Sequence, residues 1–75
     1  MQIRRWAQTL VQLEPDAAPN HFLLAFAYTR TKELDRAVVA MERALELNPR
    51  NQQYGEFLRQ IEGARALAKP AQPNP

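Results

Sequence analysis

From Ala18 to Asn51 the chain alternates apolar and polar stretches in the manner of two helices folded back on each other. Phe22-Leu23-Leu24-Ala25-Phe26-Ala27-Tyr28 is an unbroken apolar run, and Thr29-Arg30-Thr31-Lys32-Glu33 interrupts it. A second segment then runs to Leu47, with Leu34, Ala37, Val38, Met41, Ala44, Leu45 and Leu47 recurring at three- and four-residue steps. That spacing marks one face of an α-helix. A helix that is apolar all round, as Phe22 to Tyr28 would be, has to be covered from several directions. One hairpin partner cannot do this, so the flanking segments are expected to supply the rest.

The flanks carry the same period. Ile3, Trp6, Ala7, Leu10, Val11 and Leu13 read as the inward stripe of a first helix over Ile3 to Leu13, with Arg4, Arg5, Gln8, Thr9 and Gln12 facing away. Pro15 ends it, because the residue before a proline is pushed out of the α region. Asp16 is placed to cap a second helix covering about Pro19 to Arg30, and Pro19 fits its first turn, where a missing N–H costs nothing. A third helix is expected from Glu33 or Leu34 and stops before Pro49. Asn51 can cap a fourth, with Tyr54, Phe57, Leu58, Ile61, Ala64 and Ala68 inward. From Pro70 to Pro75 there is no period and nothing to bury, which predicts a disordered tail.

Leu13-Glu14-Pro15-Asp16 and Leu47-Asn48-Pro49-Arg50 lie 34 residues apart, and at the same offset Val11 meets Leu45, Leu10 meets Ala44 and Ile3 meets Ala37. A fixed period of this size means stacked units, none of which buries its apolar face alone. The segment resembles a tetratricopeptide repeat. Leu24, Ala25, Tyr28, Ala37, Ala44 and Pro49 stand at the pattern's leucine, small, tyrosine, alanine, small and proline positions, and Met41 replaces an aromatic. His21 sits where tryptophan is common, and Lys32 occupies a turn position that often carries glycine. A left-handed backbone at that lysine would cost about 1 kcal/mol.

The resemblance implies an all-α fold of about four helices, arranged as antiparallel hairpins of an α-α superhelix. Residues 1–17 would be the second helix of a preceding half-repeat, 18–51 a complete repeat and 52–69 a C-terminal capping helix. Such a chain, one and a half repeats plus a cap, is expected to be the C-terminal piece of a longer array, or to meet another copy through its open N-terminal side.

Composition narrows the function. Seventy-five residues make one small domain, and its 45% apolar and 24% charged residues are ordinary for a globular chain. A net charge of +2, dispersed along the sequence, argues against nucleic acid and anionic membranes. Arg4-Arg5-Trp6 looks like a basic-aromatic patch, but adjacent residues splay apart on a helix. The longest apolar run, seven residues, is far below the ~20 that membrane insertion needs. The absence of cysteine leaves the compartment open, with a soluble cytoplasmic location as the default expectation.

Chemistry has little to hold on to. The chain has one histidine, no cysteine and no serine, and no second ligand or orienting carboxylate is suitably spaced from His21. His21 is expected to be a packing residue, and no enzyme activity, metal or cofactor is expected. Glu33/Arg36, Arg43/Glu46, Arg59/Glu62 and Glu62/Arg65 are three-apart pairs suited to solvated helix faces.

What remains is protein recognition. In tetratricopeptide arrays the first helix of each unit lines a concave groove that takes an extended peptide or a partner helix. The resemblance places Pro19, Phe22, Phe26, Thr29 and Arg30 in that groove, with Gln53, Glu56 and Gln60 from the capping helix. Aromatic residues stand where carboxylate-gripping members carry lysine and asparagine, so an apolar side chain between Phe22 and Phe26 is the expected ligand. The competing expectation is that the fourth helix or a second protomer covers both rings. A homo-oligomer through Trp6 and Leu10 is the alternative function.

Overall fold

The computed structural model describes residues 3–68, and all its regular elements are helices: α1 Ile3–Leu13, α2 Ala18–Arg30, α3 Leu34–Leu47 and α4 Gln52–Ala68. The expected tail, 70–75, lies outside the described residues. Each helix packs on the next in antiparallel succession, giving the all-α superhelical arrangement. The radius of gyration is 13.0 Å, above the ~11 Å of a compact ball of this length, as stacking in one direction requires.

The α2–α3 hairpin holds the core. Ala25, Ala37, Met41 and Ala44 are fully buried, and Tyr28, Val38 and Ala40 nearly so. Alanines on both helices allow the backbones to approach, and Met41 fills the space left between them. Ala18, Tyr54 and Ile61 join the same cluster, with Phe22, Leu24, Leu34, Phe57 and Leu58 packed at its edge. The apolar α2 is thus covered by α1, α3 and α4.

α2 ends in a left-handed turn. The Glu33 N–H donates to Tyr28 O at 2.8 Å and the Lys32 N–H to Thr29 O at 3.2 Å, with Lys32 at φ 63°. This is the Schellman arrangement, normally closed by glycine. Thr31 Oγ1 donates to Glu33 Oε2 at 2.6 Å, and Arg4 and Arg36 pair with the same carboxylate. The Thr31 hydrogen bond first, then the Arg4 contact, holds the Glu33 carboxyl below the usual glutamate range.

The 34-residue repeat recurs in the backbone. Glu14 N–H donates to Leu10 O, and Asn48 N–H to Ala44 O, each at 2.9 Å; Ala17 N–H donates to Glu14 O, and Asn51 N–H to Asn48 O, each at 3.2 Å. The two proline turns therefore have the same hydrogen-bonded shape.

Several local expectations are corrected. α2 starts at Ala18, one residue earlier than expected, and its cap position is Ala17, which makes no side-chain cap bond. Asp16 instead reaches Arg43 at 3.6 Å. Asn51 does cap α4, accepting the Tyr54 N–H on Oδ1 at 3.1 Å. On α1 only Ala7 is buried, and Trp6 and Leu13 point away from the core at 59% and 72% exposure. The small Ala7 decides this: it lets α1 lie close to α2, which turns the larger Trp6 outward. Ala64 and Ala68 are exposed, so the inward face of α4 is Tyr54, Phe57, Leu58 and Ile61.

Candidate functional site

Of the groove residues expected on α2, Pro19, Phe26 and Arg30 are exposed, and Phe22 and Thr29 are half-buried. α1 is tied to α2 by Gln8 Nε2, which donates to Tyr28 Oη at 3.2 Å, and by Asn20 Nδ2, which donates to Leu10 O at 3.1 Å. α4 reaches α2 through Phe22, whose ring stacks on Tyr54 at 5.1 Å between centroids and 13° between planes. Phe57 meets the same ring tilted by 55°, at 5.2 Å. Phe22 is consequently half-buried against α4.

Phe26, one turn on, stays 37% exposed. Arg30 places its guanidinium carbon 5.9 Å from the centroid of that ring, within cation–π reach. Thr29 Oγ1 donates to Phe26 O at 2.6 Å and also lines a shallow cleft of about 250 Å³ with Leu34, Phe57, Gln60, Ile61 and Ala64. Pro19 is exposed in the first turn of α2, and Gln53 is exposed in the first turn of α4. Thr29 and Gln60 therefore share one cleft, with Phe26 and Arg30 on the adjoining turn of α2. Glu56 stands apart from them, in a separate depression with Leu45, Pro49, Arg50 and Arg59.

Of the proposed self-association pair, Trp6 is exposed, while Leu10 is half-buried and gives its carbonyl to Asn20. His21 is 8% exposed and donates from Nε2 to Pro15 O at 2.7 Å, a structural bond that ties α2 to the preceding proline turn. No cluster of metal-ligating side chains exists among the described residues. Nor is any described helix long and apolar enough to cross a membrane.

A larger apolar groove, about 600 Å³, opens over Val11, Leu24, Tyr28, Val39 and Ala40, with Arg36 and Arg43 at its edge. Val39, 65% exposed, is the signal that could have found it: a β-branched apolar residue outside the inward stripe of α3. Both arginines are already matched, Arg36 to Glu33 and Arg43 to Asp16 and Glu46.

Comparison with known proteins agrees with the geometry. No curated protein and no solved structure matches the chain. Residues 18–51 match the tetratricopeptide repeat family, and this span contains the α2–α3 hairpin from its first residue to the turn before α4. Repeats of this family generally mediate protein–protein interactions and are typically non-enzymatic scaffolds. With that match at its centre and four stacked helices around it, the chain fits a repeat protein of the tetratricopeptide type.

Proposed function

We propose that the chain is a non-enzymatic scaffold that holds a peptide or helix of a partner protein against the Phe26 side of α2. The observation that carries this reading is the exposed Phe26 ring beneath Arg30, beside the cleft at Thr29 and Gln60. A large aromatic side chain left partly in water by three neighbouring helices is a natural anchor for a partner's apolar residue. α4 acts in this reading as the cap of the hairpin and the second wall of the groove. Phe26→Ala should weaken capture of a partner peptide by about 1–3 kcal/mol, roughly five- to 150-fold. Because the ring is partly exposed, the loss of folding stability should be smaller. Equal affinity of the two proteins for the same peptide would remove the assignment.

A second reading has its own observation. Trp6 and Leu13 lie about two turns apart on the outer side of α1, both largely exposed. Self-association through Trp6 and Leu10 would bring that side out of water.

A further inference from the structure

The environment of Arg30 carries an inference that rests on the reading above and names what the partner brings. Arg4 and Arg36 hold Glu33, Arg43 holds Asp16 and Glu46, and Arg65 holds Asp35. Like Arg5, Lys32, Arg50 and Arg59, Arg30 has no ion pair with a carboxylate among the described residues; it differs from them in that its guanidinium lies over the Phe26 ring. A cation in the last turn of a helix is favourable by itself, but that does not account for its place over an exposed ring. A guanidinium held against a ring face still has its in-plane N–H donors, which fit a carboxylate as a fork. Glu56, the one acid expected in this groove, lines a different depression and leaves the charge of Arg30 uncancelled.

We infer that the segment bound here is acidic, placing an aliphatic or aromatic side chain on Phe26 and an aspartate or glutamate side chain on Arg30. The complementarity is local: one apolar contact and one carboxylate on adjacent residues or one helical turn apart. An unpaired guanidinium held over the exposed anchor ring favours this occupant over a basic segment or a second copy of the chain.

The test is selection of a random peptide display library, with amidated C-termini, on the full chain and on its Arg30→Glu and Phe26→Ala variants. All three are first checked for equal helix content. The wild-type chain should enrich peptides with Asp or Glu beside an apolar residue, and Arg30→Glu should lose that preference. Fluorescence anisotropy on an enriched peptide should then show about five- to tenfold weaker binding to Arg30→Glu. Arg30→Lys, which keeps the charge without the fork, should fall between. Basic or uncharged motifs, the chain's own sequence, or one acidic motif from both wild type and Arg30→Glu would each overturn the inference. These outcomes leave the Phe26 reading standing as long as Phe26→Ala still loses the peptides. Phe26→Ala enriching the wild-type set, or the wild type enriching nothing, would remove that reading itself.

Discussion

The turn at Lys32 allows a quantitative check on how the hairpin is closed. Lys32 sits at φ 63°, where a side chain crowds the following carbonyl at a cost of about 1–2 kcal/mol. Glycine removes that strain but gives the unfolded chain more freedom, which costs about 0.4–1 kcal/mol. The midpoints of these ranges leave a net stabilisation by Lys32→Gly of about 0.8 kcal/mol, a rise in Tm of roughly 3–6 °C for a domain of this size. The Glu33 and Lys32 N–H bonds to Tyr28 and Thr29 survive the change, because glycine keeps its backbone donor. Lys32→Ala, which retains the strain, should melt close to the wild type. Lys32→Pro should destabilise, since proline has no N–H and cannot reach a positive φ. Thermal unfolding followed by far-ultraviolet circular dichroism reads all three. A glycine variant no more stable than the alanine variant would refute the claim that a strained left-handed residue closes α2.

Two further outcomes follow from the charges and from α1. Glu33 has a lowered folded-state pKa, so its stabilising contribution is present above the unfolded value of about 4.3 and disappears as pH falls through the folded value. Glu33→Gln should therefore lower Tm at neutral pH and narrow its gap to the wild type on acidification below about pH 4; a gap that is constant with pH would contradict the Thr31–Glu33–Arg4 network. If the outer side of α1 pairs copies, multi-angle light scattering across a dilution series should show mass falling with concentration, and Trp6→Ala should give monomer throughout. A monomer at every concentration removes the second reading.

The parts legible in the sequence were those set by local chemistry. The cap at Asn51 and the stops at Pro15 and Pro49 each depend on a few neighbouring residues, whereas the turn at Lys32 is implied by the family resemblance. The alanines that let α2 and α3 nest also recur at helical spacing, so the hairpin followed from pattern alone. The orientation of Trp6 did not. The apolar positions of α1 span nearly half its circumference, and only the three-dimensional approach to α2 at Ala7 selects which part is covered. Phe22 and Phe26 posed the same difficulty. They share a helix face by spacing, but α4 crosses near Phe22, where Tyr54 and Phe57 are waiting, and leaves Phe26 in contact with solvent. Asp16 looked like a cap because its residue type favours that role, yet Arg43 on α3, distant in sequence, claims its carboxylate.

The central claim is that the hairpin of residues 18–51 exists to present one side of α2 to a partner. Amide hydrogen exchange of the full chain, with and without a bound partner peptide, tests it most directly. Slowed exchange should be confined to α2 around Leu23–Arg30 and to the stretch of α4 around Phe57–Gln60. Protection over α1 and the Val39 side of α3 instead, with α2 and α4 unchanged, would contradict the account.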